Sequence, residues 1–433
     1  MAQFVWHWQK STLVLACAMA LAACGGGSND LDTKPPADDD HSHPHIETAG
    51  RLVALEAGSP QAHVIDLDKG RLLQSFTLDN PTSAIYPSPN NRYAVLPQRA
   101  QNQVQFIDGG IWQEDHGNHL HDYMKDPALL PTRLSGSRPT HYERHAGQAA
   151  IFFDGNTAAG QNASIAVLTD ASIGKPHAPA LATQGLSLPM HGTAEPRGDW
   201  LLTTWRDANA SGNSTLPSQV ELYHRHDDHY HFERRFDEQC PMLHGSYSNE
   251  KHSAFGCSDG ILVIKQDGDT FTARKIDNPA DIGENVRIGT IIGNAHYDKF
   301  VGIAGPGHLF EIDPQAGRIS RIQWGEGLIR RAHAMDAEGE NLLVLDSTGT
   351  VHILDVKTWR KRAEIAGVIA NMPAKAPYPS FAVSAAHDKA WLSDPQGQRL
   401  HTIDLGEARV QGNIALNFSP TGMVWLGLPE HKH

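Results

Sequence analysis

The sequence predicts an all-β fold made of one repeated four-strand unit, on three observations. A short strand ending in an acid or other polar residue recurs roughly every 40 to 55 residues. Ahead of most copies sit two more strand-like runs joined by a polar turn, and a further strand follows behind. No stretch sustains helical periodicity. Four short strands per unit with turn residues between them are the signature of β-propeller blades. A lone blade cannot bury both faces, whereas blades stacked around an axis can, leaving only short edges.

The recurring strand reads His63-Val64-Ile65-Asp66, then Val104 to Asp108, Ile165 to Asp170 and Val220 to Tyr223. It returns at Ile261 to Ile264, Leu309 to Asp313, Val351 to Asp355 and Leu400 to Asp404, which makes eight copies. Eight blades are therefore expected, and the ambiguous last unit leaves seven open. The segment from Arg51 to Leu78 has the look of later blade strands, and that from Asn413 to Leu426 of the first strand or two. Pairing them would close the ring. The propeller is placed at residues 49–428, with a tail at 429–433.

Residues 1–23 read as a signal peptide. Lys10 precedes an apolar run from Leu13 to Ala23 that is too short to span a bilayer. It ends in Leu21-Ala22-Ala23-Cys24, a lipobox pattern in which Cys24 would be lipidated; ordinary cleavage nearby is the alternative. Gly25 after it, rather than Asp, would send a lipoprotein to the outer membrane. Residues 24–48 form a linker rich in Gly, Ser, Asp and Pro, too polar to fold alone. Export suits the remaining cysteines: Cys240 and Cys257 flank a turn signal at Ser248-Asn249 symmetrically, so an oxidising compartment would let them bridge.

The formal net charge of −13 argues against a nucleic-acid partner. The unusual feature is histidine, 26 residues in 433. Four units place one at about the same register of their first, channel-lining strand: His141, His191, His244 and His333. Zinc takes four N, S or O ligands, and a ring of inward imidazoles can supply three. A second cluster, Glu114-Asp115-His116-Gly117-Asn118-His119-Leu120-His121-Asp122, is dense in ligands and is expected to fold over the channel mouth and share the site. A third is His41, His43 and His45 beside three aspartates, suited to metal capture by a loose tail. A fourth, His224, His226, His229 and His231, reads mainly as a solvated hairpin. Imidazole ligands must be deprotonated, so affinity is expected to fall as pH drops through the ordinary histidine range.

The repeat unit resembles the YVTN/WD40-like propeller superfamily, a likeness of fold and not of function. A narrower resemblance rests on Asp115 to His121, on Arg138-Pro139-Thr140-His141-Tyr142-Glu143, on Phe152-Phe153-Asp154-Gly155-Asn156-Thr157-Ala158, and on the blade-start histidines. Together these resemble the periplasmic zinc metallochaperones of the AztD type, over roughly residues 41 to 428. The resemblance implies a zinc-binding, non-enzymatic carrier that hands Zn(2+) directly to the solute-binding protein of a zinc ABC importer. The lipobox departs from a freely soluble carrier. Two other readings stand beside it. A metal-assisted hydrolase or lactonase would use Glu143 or Asp115 as base, though no GxSxG nucleophile motif is present. An interaction scaffold would carry its histidines incidentally. Copper is the chemical alternative to zinc.

Overall fold

A computed structural model describes residues 45–82, 84–117, 120–177, 179–209, 215–283 and 286–430. The expected signal peptide, Cys24, His41, His43 and His119 lie outside the described residues. Among the described residues the chain is all-β, apart from one four-residue helix, Asp170–Ile173, and two short 3-10 turns.

The strands form successive antiparallel meanders. In the first sheet, Arg71–Thr77 pairs with Gln61–Asp66, that with Arg51–Glu56, and that with Pro420–Leu426. Arg51 faces Leu426 and Val53 faces Val424, so the two ends of the folded chain share one sheet. A single late strand makes this closure. Asn413 belongs instead to Arg409–Ala415, the outer strand of the preceding sheet.

The second sheet contains Tyr86–Pro87, Tyr93–Gln98 and Gln103–Asp108, with an outer edge split into Ala128–Leu129 and Leu134–Ser135. The split follows an insertion: Ile111–Asp115 and Leu120–Met124 leave the sheet as a separate two-stranded hairpin. The next sheet is eight-stranded. It consists of two antiparallel four-strand runs, joined by a single parallel bridge from Thr183 to His229. Four further four-stranded sheets follow, beginning at Ser246, Thr290, Arg330 and Phe381.

Burial explains why these segments are strands. Tyr93–Gln98 and Asn341–Asp346 are buried at every position, as strands covered on both faces must be. The outer strand Arg71–Thr77 is mostly exposed and reads polar. Neighbouring sheets share cores: Val95, Val104 and Phe106 of one pack with Ile151, Phe153 and Ala166 of the next. Each such side chain contributes about 1.5–3 kcal/mol on full burial.

Cys240 and Cys257 are joined by a disulfide. The sequence puts them opposite one another on paired strands, and the structure corrects this. Ser246 faces Phe255 and Ser248 faces Ser253, so the hairpin turns at Glu250-Lys251, two residues later than expected. Cys240 lies before the first strand, its N–H donating to the carbonyl of Ser218 in the previous sheet. The disulfide therefore ties the segment leading to His244 against the residue that follows the strand His252–Gly256.

Candidate metal centre

Three of the four histidines expected at one register, His141, His191 and His244, meet. His141 lies on Pro139–His145, the first strand of its sheet, at a register shift between Pro139 and Tyr142. His191 stands just ahead of Ala194–Arg197, and His244 just ahead of Ser246–Ser248. Both are set by the same local pattern, a buried apolar residue, the histidine, then glycine. Met190 and Leu243 anchor the backbone in the core. Gly192 is required because a Cβ there would sit 2.2 Å from Thr204 Oγ1 and 2.6 Å from the ring of Phe152. Gly245 has φ +73°, and a Cβ there would lie 2.6 Å from the carbonyl of Gly289.

The imidazoles converge through their Nε2 atoms. His141 Nε2 is 3.4 Å from His191 Nε2, which is 3.1 Å from His244 Nε2. One ligand atom from each of the three lies within 4.8 Å of the others. The far side of two rings is already committed. His191 Nδ1 bonds the carboxylate of Asp154 at 3.0 Å, and His244 Nδ1 bonds the carbonyl of Gly289 at 2.7 Å. A carbonyl and a carboxylate only accept, so both Nδ1 atoms carry the proton and both Nε2 atoms present a lone pair. Lone pairs aimed at one another repel unless a cation or a proton sits between them. Two nitrogen ligands of a tetrahedral zinc, at ~2.0–2.1 Å each, stand about 3.3 Å apart. The two observed separations are close to that spacing, and among the described residues the group consists of these three ligands.

Electrostatics favour neutral imidazoles here. Burial pushes His141 down to about 3, and the neighbouring His191 and His244 add to this. Burial also lowers His244, against the opposing bond to Gly289. The expected loss of affinity through the ordinary histidine range moves to lower pH accordingly. For Asp154 burial favours the neutral acid, yet the bonds from His191 and Arg99 hold the carboxyl below its usual range. Arg99 Nη2 lies 2.8 Å from Asp154 Oδ2 and so balances its charge. Neither Asp154 nor Arg99 was assigned a role from the sequence, although Asp154 falls within one of the stretches that carry the family resemblance.

His333 does not join this group. Arg330 Nη1 donates to its Nδ1 at 2.9 Å, and burial pushes it down to about 3. It lines a cavity of about 690 Å³ between the first strands, together with Tyr86, Glu143, His145 and Trp425. Glu143, the base that a hydrolase reading needs, is pushed well up by burial and by the charge of Glu195.

The described residues of the hairpin cluster, Asp115, His116, His121 and Asp122, stand apart from this group, where the sequence predicts a shared site. It leaves the end of Gln103–Asp108, where Gly109 bonds the carbonyl of Arg92 and Arg51 Nη1 donates to Gly109 O. His141 sits at the other end of the neighbouring strands, where Arg99 Nη1 donates to Arg138 O at 3.0 Å and to Thr140 Oγ1. Six extended residues separate the two ends, roughly 20 Å. Within the hairpin, the rings of His116 and His121 are 5.0 Å apart, and His121 Nδ1 lies 3.1 Å from Tyr123 Oη. Asp115 closes the turn by accepting the N–H of Gly117. His45 reaches the same hairpin: its Nδ1 is 2.7 Å from Asp122 Oδ2, which also accepts the N–H of Ile46. The capture tail thus ends on the hairpin rather than on the three-histidine group.

No family model matches the chain. The chain is similar to the zinc chaperone AztD of Citrobacter koseri, 24% identical over 387 residues, covering 88% of this chain and 87% of that protein. The crystal structure of Citrobacter koseri AztD superposes with a TM-score of 0.75 at 23% identity, covering 89% of this chain and 100% of that one. The structure of apo AztD from the same organism gives the same values. The dihydro-heme d1 dehydrogenase NirN is a more distant likeness of fold, with a TM-score of 0.54 at 13% identity, covering 88% of this chain and 76% of that one. The resemblance drawn from the loop and the blade-start histidines is borne out over nearly the whole chain, and the curated protein it leads to is a zinc chaperone rather than an enzyme.

Proposed function

We propose that this chain is a periplasmic zinc carrier that hands its cargo by direct contact to the solute-binding protein of a zinc ABC importer. The observation that carries the reading is the convergence of His141, His191 and His244 through Nε2, with Asp154 and the Gly289 carbonyl fixing two of the rings. The similar protein from Citrobacter koseri is a zinc chaperone, which supports zinc over copper as the cargo.

Three protein ligands suit a carrier. They hold the ion firmly, and the open fourth position admits a ligand from the acceptor before the last bond to the donor breaks. His191 stays oriented throughout, because its Nδ1–H remains on Asp154. The strand runs, eight in all when the ends are joined, are arranged in this reading as the blades of a propeller, with the three histidines at one mouth of its channel. His45, Asp122, His116 and His121 form a collecting patch in this reading, and His41, His43 and His119 are further imidazoles of the sequence assigned to capture. Cys24 carries the lipid that holds the molecule to the outer membrane, and the linker of residues 24–48 sets its reach.

The test is a chelator-competition titration of the mature protein and of the His141→Ala, His191→Ala, His244→Ala triple variant. It is followed by mixing zinc-loaded protein with the metal-free solute-binding protein, directly or across a dialysis membrane. The triple variant is expected to lose its tight zinc, and transfer to be fast only on direct mixing. A triple variant that binds as tightly as the parent overturns the site. Equal transfer across the membrane overturns direct exchange.

A further inference from the structure

We propose that His226, His229 and His231 form another divalent-cation site, on the outer edge of the fold and independent of the three-histidine centre. The strands Gln219–His226 and His229–Arg235 make a hairpin with His224 opposite His231 and His226 opposite His229. Alternate residues of a strand share a face, and directly paired residues share it across the ladder. All four imidazoles therefore stand on one face, while Tyr223 and Tyr230 on the other face pack into the core. His229 Nε2 lies 2.9 Å from His231 Nε2, and the rings of His226 and His231 are 4.4 Å apart. His229 Nδ1 bonds Asp228 Oδ1 at 3.2 Å, which leaves its Nε2 as the lone pair facing His231. This repeats in miniature the inner centre, where a carboxylate on Nδ1 aims Nε2 at a second imidazole.

His224 takes a different part. Its ring packs against that of Trp200, with centroids 4.3 Å apart and the planes tilted by 37°, and so holds the hairpin to the neighbouring strand. The tip is held too: Thr183 N–H donates to Asp228 O, across the seam between the two four-strand runs. His226, His229 and His231 are exposed, so the remaining coordination positions are filled by water and exchange is fast. Imidazole ligands with open positions suit zinc and copper(II). A cation there would clamp the two strands together and stiffen that seam.

The test is amide hydrogen exchange of the full mature protein with and without zinc, read on peptides covering residues 219–235. With zinc at about ten times the dissociation constant, exchange across 224–231 is expected to slow about tenfold. The His226→Gln, His229→Gln, His231→Gln variant should lose that protection and keep the zinc-dependent protection around His191 and His244. The variant lacking the inner three histidines should show the reverse. Absence of slowing at 224–231 in the parent overturns the proposal, as does equal slowing in the glutamine variant. An unchanged unfolding midpoint of the metal-free glutamine variant excludes a folding defect.

Discussion

The carboxylate of Asp154 accepts the Nδ1–H of His191 at 3.0 Å, and through that bond it decides which nitrogen of His191 faces His141 and His244. Partners of this kind typically change metal affinity 10- to 100-fold. Asp154→Asn keeps the shape but removes the charge, and its amide can turn its NH2 toward Nδ1. Zinc affinity of Asp154→Asn, measured by chelator competition, should fall about 10- to 100-fold. An unchanged affinity would mean that His191 is oriented by its backbone alone.

The pH dependence follows from burial. His141 is pushed down to about 3 and His244 is lowered, so neither holds a proton near neutrality. Zinc displaces no proton from His141 between pH 7.5 and 5.5, and burial moves proton competition at His244 to lower pH, so affinity should change less there than for ordinary histidines. The loss should come at lower pH, as it approaches their depressed values. The metal-free protein carries the matching stability term. In the unfolded chain these rings take a proton near an ordinary value of about 6.5. Each has a depressed folded pKa, so its stabilising contribution is complete above the unfolded value of about 6.5 and is lost progressively as pH falls from there toward the folded value. Zinc competition and urea unfolding, both run from pH 7.5 to 4.5, read the two effects. A steep affinity loss centred near pH 6.5 would contradict the burial argument.

The disulfide acts on the site through His244, four residues after Cys240. It closes a loop with a sequence separation of 17, and a loop near that size is worth about 3 kcal/mol. The Cys240→Ser, Cys257→Ser pair should lose about that much stability to urea. It should also bind zinc less tightly, because the segment ahead of His244 is freed. Stability loss with unchanged zinc affinity would show that Gly245 and the Gly289 carbonyl hold His244 by themselves.

The hairpin is predicted to be separable. His116→Ala, His121→Ala should leave zinc at the three-histidine centre unchanged, since the two lie at opposite ends of the strands. The same variant should slow loading of the mature protein from dilute zinc, read by stopped-flow with a fluorescent chelator. Loss of tight zinc in this variant would mean that the hairpin supplies a ligand.

Much of this was legible in the sequence. The strand repeat gives the all-β meanders, and equal registers give His141, His191 and His244 equal heights. His333 does not share that height: it lies opposite Val344, whereas Arg330 faces the strand-end Asp346 as His244 meets the strand-end Gly256. Arg330 also engages the His333 Nδ1, and the unit between His333 and His244 carries Gly289 at the strand start. The hairpin was misplaced for a topological reason. It follows the end of a third strand, which is the opposite end from the start of a first strand, whatever its composition. Asp154 was hidden by its company. Asp66, Asp313, Asp355 and Asp404 also end strands, and each accepts a backbone N–H in the turn that follows. One aspartate among these that turns instead to an imidazole has no distinguishing sign in the chain.

The most direct measurement is anomalous diffraction at the zinc edge from crystals of the zinc-loaded mature protein. A peak is expected among the Nε2 atoms of His141, His191 and His244, about 2.0–2.1 Å from each. Fully loaded crystals with zinc elsewhere and no peak among these three nitrogens would contradict it.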